Sequence, residues 1–309
     1  MATLSAISTA VVRNMAAKVT SAEADAFIQT AFSQIWEAHE WSQRKTDGLV
    51  AIVADYTTGT VTTSVGSASI TGGSTVWTSA MTGRWIRIGS INELFKFTYV
   101  SGTSATIESP TGGTGWQAAA QSAVTYVLFQ HIYTLATDVD QVLLPTREYA
   151  LGATTREHLD RIDPVRVSTG QPYCWAPREL ASTGAYQIEF WPRPNAAGVV
   201  RVPYLKLAPT LGQSTDILIR QDTVEYLASH KAAIFLLAKH GDVKYGALAG
   251  LYWNLYAGDP NDKKLGALET AIMQDQSKYG SVSHLPDRTS GGYGFSDEFL
   301  SAHDMVEFG

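Results

Sequence analysis

Residues 94–100 read Leu94-Phe95-Lys96-Phe97-Thr98-Tyr99-Val100. Phe95, Phe97 and Tyr99 alternate with Lys96 and Thr98. Successive side chains of a strand point to opposite faces, so this spacing puts the rings on one side of a half-buried strand. Short β-rich runs lie on either side of it: Thr60 to Thr63, Ser67 to Thr71, Arg84 to Ile88, Ala105 to Glu108 and Val124 to Gln130. Gly, Ser, Asn and Pro separate the runs, which is the punctuation of tight turns. Residues 48–130 therefore predict a compact antiparallel β-barrel or sandwich.

The periodicity changes on both sides of this module. Upstream, Phe27, Ala31, Ile35 and Ala38 recur at helical spacing, with Ile28 and Phe32 beside them, and predict a helix over Ser21 to Trp41. Thr20 and Glu23 have capping-box spacing at its start, and the basic residues Arg44 and Lys45 follow its end. Downstream, residues 131–211 are irregular and extended, with a helical turn within Ala153 to Arg161. Tyr186 to Trp191 and Val199 to Leu207 read as two strands of a β-hairpin, joined by Pro-Arg-Pro-Asn-Ala-Ala-Gly. Tyr186, Ile188 and Phe190 face inward in this reading, while Gln187 and Glu189 face out. Pro203 places the second strand at an edge or a bulge.

The last third is helical again. One helix is predicted from Asp222 to Lys239, with Val224, Leu227, Ala228, Lys231, Phe235 and Ala238 along one side and Gly241 as its stop. A second runs from Asp242 to Tyr256 and carries Leu248, Leu251, Tyr252 and Leu255. A third begins after Asp259, with Pro260 at its first position and Leu265, Leu268 and Ile272 facing the core. From Gly280 the chain is too sparse in apolar residues to bury a core. Its Tyr293, Phe295, Phe299 and Phe308 suit an extended arm that anchors on a partner. The fold class expected is α+β. A helical bundle core (1–47 and 131–279) carries an inserted antiparallel β module (48–130), a further β-hairpin and a C-terminal arm (280–309).

With 309 residues, 45% hydrophobic and 17% charged, the chain is long enough to bury a sizeable core. The net charge of -6 offers no basic cluster to grip nucleic acid or an anionic membrane. No run approaches the roughly 20 apolar residues of a membrane helix. The N-terminal stretch lacks the basic, apolar and cleavage regions of a signal peptide. Cys174 is the only cysteine, so neither an internal disulfide nor a multi-thiolate metal site is available.

Chemistry-bearing patterns are few. No nucleophile elbow, phosphate loop or dinucleotide fingerprint is present. Gly112, Gly113 and Gly115 read as a hairpin loop, since neither a helix nor a Lys follows them. Of seven histidines, His230 and His240 share a helical region but lie ten positions apart, unlike a zinc pair. Asp138 and Asp140 read as a turn before an apolar stretch, and Asp160 and Asp163 as a salt-bridged turn around Arg161. Cys174 has no activating neighbour in sequence and reads as structural. Trp77, Trp85, Trp116, Trp175 and Trp191 read as strand aromatics, with a sugar-binding surface as the alternative. Glu93 or Glu189 would be the acid of a hydrolase, although each falls in an alternating strand where an outward carboxylate is ordinary. No catalytic residue, cofactor or metal is expected.

The layout as a whole resembles a known family. Its marks are Ile35, Trp36 and Trp41 at the end of the first helix, then Tyr133-Thr-Leu-Ala-Thr-Asp-Val-Asp-Gln-Val-Leu143. Gly170-Gln-Pro-Tyr173, Gly184-Ala-Tyr-Gln-Ile-Glu-Phe-Trp-Pro-Arg-Pro194, Val202-Pro-Tyr-Leu-Lys-Leu207 and a helix with Ala232 and Ala233 follow. Gly59-Thr-Val-Thr-Thr63 and Ser69-Ile-Thr-Gly-Gly-Ser-Thr-Val-Trp-Thr-Ser-Ala-Met-Thr-Gly-Arg-Trp-Ile-Arg-Ile88 look like a β module of phage adaptor and tail proteins. From about Ser21 to Tyr279 the chain resembles the head-to-tail connector adaptors of tailed, particularly short-tailed, bacteriophages. The resemblance implies a non-enzymatic virion protein of the neck, assembled in the host bacterial cytoplasm. It implies a dodecameric ring below the portal, with DNA passing through the channel without sequence-specific binding. It also implies an arm on the portal protein and a tail nozzle or tail tube on the other face. A receptor- or carbohydrate-binding tail component using the β module is the alternative reading.

Overall fold

The computed structural model describes residues 2–91, 93–109, 115–214, 216, 217, 219–259 and 264–279. The architecture is α+β, as the pattern predicts. Among the described residues the helices are α1 (Leu4–Asn14), α2 (Ser21–Ala38), α3 (Arg156–Ile162), α4 (Gln221–His240), α5 (Val243–Ala257) and α6 (Ala267–Tyr279). Contacts divide the chain into two compact units, the described residues of Met1–Ile35 with Leu211–Gly309, and Trp36–Thr210. The expected grouping joined 131–279 to the first helix. Instead, 131–210 falls with the β strands, because a long antiparallel ladder from Gly198↔Ile52 to Leu205↔Lys45 ties it there.

The helical unit begins with α1, which the sequence reading passed over. Thr3 caps it by accepting from the Ala6 N–H at 3.3 Å, and Leu4, Ile7 and Val11 are buried on one side. α2 has the predicted capping box: the Thr20 N–H donates to Glu23 Oε2 at 2.7 Å, and the Glu23 N–H donates to Thr20 Oγ1 at 3.2 Å. Such a box is worth about 1 kcal/mol. Its buried stripe is Ala24, Ile28, Ala31, Phe32 and Ile35, whereas Ala38 is exposed. α4 ends at Gly241, whose positive φ of 65° lets its N–H reach the Leu237 carbonyl at 2.7 Å. That is the predicted stop, and a Cβ there would be strained. The last helix starts later than predicted, at Ala267, after a short pairing of Gly258–Asp259 with Lys264–Leu265. Leu265 therefore lies outside α6, and Pro260 lies outside the described residues.

The β unit holds strands β1 (Lys45–Ile52), β2 (Thr60–Thr63), β3 (Ser69–Gly73), β4 (Trp85–Ile88), β5 (Phe95–Ser101), β6 (Ser104–Glu108), β7 (Gln121–Val124), β8 (Tyr126–Phe129), β9 (Ile132–Thr134), β10 (Val139–Val142), β11 (Cys174–Pro177), β12 (Gln187–Trp191) and β13 (Gly198–Lys206). The inserted module is one antiparallel sheet in the order β7-β2-β3-β6-β5-β4-β8. Its two edge strands are joined by Thr125 alone, so the sheet curls into a half-barrel that brings its edges together. Phe95 and Phe97 point into this curl with Ile86, Leu128, Trp77 and Trp116. Gly115 lets the chain pass against Ser67, where a Cβ would stand 2.3 Å from backbone atoms.

Two smaller sheets complete the unit. β9, β12, β11 and Gly152–Ala153 form one, in that order; β10, β13 and β1 form the other. The predicted hairpin of 186–191 with 199–207 does not form, because its strands enter different sheets. β12 pairs instead with β11, across a longer connection. β13 is the central strand of its sheet, so Pro203 is not at an edge. The chain accommodates it at an irregularity: from Leu143 to Thr146 it takes one more residue than β13 takes between Arg201 and Pro203. That is the bulge alternative, and the missing N–H is not called on there.

Candidate functional site

Two features stand apart from ordinary packing, one in each unit. The first is the outer face of α5. Lys244 is the only charged residue among its fifteen, Val-Lys-Tyr-Gly-Ala-Leu-Ala-Gly-Leu-Tyr-Trp-Asn-Leu-Tyr-Ala. A helix that is apolar all round is normally buried all round. Here one side is covered, by α4. Gly246 and Ala249 bring the backbones close, and His230 Nδ1 lies 2.9 Å from the Ala249 carbonyl. Tyr245, Tyr252 and Trp253 each meet an aromatic ring of α4: His240, Tyr226 and His230. The other side exposes Val243 (82%), Leu251 (53%) and Leu255 (41%), together with Ala247 and Gly250. Leu251 and Leu255, read from sequence among the apolar residues of this helix, thus lie outside the packed face. The aromatic rings bury more area each and take the inner side.

The second feature is a charged network inside the β unit. Glu189 is 0% exposed. Arg166 donates to both its oxygens, Arg178 Nε lies 3.4 Å from Oε2, and His131 Nε2 lies 3.7 Å from Oε1. Arg166 also donates to the carbonyls of Leu159 and Asp163 and pairs with Asp160. Asp163 accepts from the N–H groups of Val167 and Ser168 at 2.7 and 2.9 Å and from Trp191 Nε1 at 3.2 Å. Arg193 links this cluster to the half-barrel. Its Nε donates to the Arg166 carbonyl at 3.1 Å, its Nη1 pairs with Asp55 at 2.6 Å, and its guanidinium lies 4.0 Å from the Phe129 ring centroid. Burial, with Arg166, Arg178 and Arg193 nearby, holds His131 well below its ordinary value and keeps it neutral. Burial pushes the Asp55 carboxyl up, against the pull of Arg193.

The outward orientation expected of Glu189 is therefore overturned. β12 buries Ile188, Glu189 and Phe190 in succession, because both faces of its sheet are covered. A carboxylate sealed from solvent and surrounded by cations cannot meet a substrate in this geometry. It works as an internal brace. Glu93 is elsewhere engaged, accepting from the Ser109 hydroxyl at 3.0 Å.

The other sequence candidates fall apart as sites. Asp138 accepts from the Tyr204 hydroxyl at 3.1 Å, while Asp140 pairs with Arg44 at 2.5 Å. Arg44 also donates to the Trp36 and His39 carbonyls at 3.0 and 3.2 Å, and so caps the α2 C-terminus as its position suggested. The Asp160 carboxylate pairs with Arg166 and Arg156 in place of Arg161, and the Asp163 carboxylate is taken up by backbone N–H groups and Trp191. Sequence reasoning missed Arg166 and Arg193. Each is a lone basic residue among extended chain, and only the fold gathers acids around it. Trp77 and Trp116 are buried, and the Trp77 indole donates to the Tyr126 hydroxyl at 2.9 Å; neither offers a ring face to a sugar. Cys174 is half-buried, with its thiol pushed up by burial and by Glu189. Among the described residues no group of three or more His, Cys, Asp or Glu is placed to hold a metal. No helix among them is long and apolar enough to cross a membrane. Tyr293, Phe295, Phe299 and Phe308, with Gly112 and Gly113, lie outside the described residues. The chain matches no protein-family model and no curated protein.

Proposed function

We propose that this chain is a structural virion protein, the ring adaptor between the portal and the tail of a short-tailed bacteriophage. The observation that carries the reading is the uncovered apolar face of α5. A surface of that kind calls for a partner. In a closed ring each copy supplies it to the next through a head-to-tail interface. Covering Val243, Leu251 and Leu255 is worth up to roughly 1.5–3 kcal/mol for each fully exposed side chain, less where it is already half-covered.

The layout of the sequence supplies the rest of the proposal: about twelve copies below the portal, the C-terminal segment reaching the portal, and the tail nozzle on the opposite side. DNA passes through the ring unread, and an acidic chain does not retain it.

Cryo-electron imaging of particles carrying a label at Gly309 tests this. A ring at the portal vertex with the label beside the portal is the expected result. Label at the distal tip or on peripheral fibres would overturn it. The Val243→Asp/Leu251→Asp double variant is expected to remain folded and to lose the ring.

A further inference from the structure

A groove of about 350 Å³ lies in the β unit between two strands that are both sheet edges, β1 and β9. Its rims are Gly48 to Ala51 on one side and Tyr133 to Ala136 on the other, and Val50, Val202, Tyr133 and Tyr204 form an apolar floor. Both rims turn backbone groups inward. Arg201 exchanges its two backbone hydrogen bonds with Thr146, at 2.8 and 2.9 Å. In an antiparallel ladder, Leu49 opposite it then directs its own N–H and C=O away from β13, and Ala51 does the same. On the facing rim, Leu135 donates to the Tyr186 carbonyl and the His131 carbonyl accepts from Phe190, so Thr134 between them points its groups outward from β12. The Tyr133 hydroxyl donates to the Gln130 carbonyl at 3.1 Å and accepts from the Val53 backbone, which closes one end.

Two strand edges facing across an apolar floor match one ligand chemistry, an extended polypeptide that bonds to both. The filled floor leaves room for backbone and small residues, while Leu49, 74% exposed, stands ready to be covered from above. The chain contains a segment of that form. Residues 290–296 read Ser-Gly-Gly-Tyr-Gly-Phe-Ser. As a strand it would turn Gly292 and Gly294 to the floor and lay Tyr293 and Phe295 over Leu49 and Ala51. Ten residues lie between Tyr279 and Ser290, and at roughly 3.3 Å for each step they span about 36 Å, enough to reach an adjoining copy.

We propose that this groove binds residues 290–296 of a neighbouring copy of this chain as an added strand. This rests on the homo-oligomer of the preceding reading, though on neither the ring nor the phage. It leaves Phe299 and Phe308, farther along, for the portal.

The test is disulfide cross-linking of the full-length assembled protein, with Cys174→Ser as background and Leu49→Cys paired with Phe295→Cys. The expected result is reductant-sensitive bands at multiples of the chain mass, absent when Leu144→Cys replaces Leu49→Cys. Single-chain bands alone, or a bond within one chain, from protein whose native mass is oligomeric would overturn the groove assignment while leaving the oligomer intact. A monomeric native mass would overturn both. Hydrogen exchange gives a second readout. The Leu49, Ala51 and Thr134 amides should lose protection when the chain is truncated after Tyr279, and equal exchange in the two proteins would reject the added strand.

Discussion

The helical unit and the β unit place their residues in opposite ways. α5 carries apolar side chains beyond what its unit buries, and Val243 and Leu251 face outward. β12 carries a charge where its unit leaves no solvent, and Glu189 faces inward. An exposed Leu removes nothing from the unit's own stability and becomes useful only when another surface covers it. A buried carboxylate is different. It is tolerable only while Arg166 and Arg178 remain beside it, and their removal or its own would leave charge stranded. The first arrangement serves association, and the second binds α3, β12 and the end of the half-barrel together.

The largest effect that would break this contrast is at Glu189. Glu189→Gln leaves the shape and strands Arg166 and Arg178, and should cost about 3–5 kcal/mol in chemical denaturation. A loss below about 1 kcal/mol would mean that the network is not a brace.

Next is acid. His131 has a folded value below its ordinary 6.5, so below that pH the unfolded chain binds a proton that the folded chain refuses. Stability is then retained above about 6.5 and falls as pH drops toward 5, by up to about 1.4 kcal/mol per pH unit. The Arg166, Arg178 and Arg193 charges that oppose protonation stay on throughout this range. His131→Phe should flatten that slope in denaturation midpoints measured across pH; an unchanged slope would assign the acid sensitivity to other groups.

The smallest effect sharpens the other half of the comparison. Leu251→Ser should shift the thermal stability of the isolated subunit by less than about 0.5 kcal/mol while reducing assembly in native mass measurements. A large stability loss would place Leu251 in the packed core after all.

Local rules were legible in the sequence wherever neighbours in the chain decide the outcome. Thr20 and Glu23 are three residues apart and cap α2, Gly241 stops α4, and the alternation at Phe95 and Phe97 marks the inner face of the half-barrel. Each involves a hydrogen bond or a side-chain direction set within a few residues. The partner of a strand is not set in that way. β12 and β13 are separated by a turn-forming stretch and still enter different sheets, because β13 finds β1 across the whole module between them.

The same limit governs the sites. Alternation along 186–190 predicts Glu189 outward, and it holds only for a strand with one face in water. The second covering layer, with Arg166, Arg178 and His131 in it, comes from distant segments. On α5 the helix itself is legible, but an apolar residue on every side gives no preferred face. Contact with the rings of α4 set Tyr245, Tyr252 and Trp253 on the inner side and left Leu251 out. The amino-acid sequence by itself thus determined the α+β class, the inserted antiparallel module and the helix caps, since these depend on local spacing. The pairing of the strands, the burial of Glu189 and the outer face of α5 were decided by tertiary structure alone, because each depends on which remote surface arrives to exclude water.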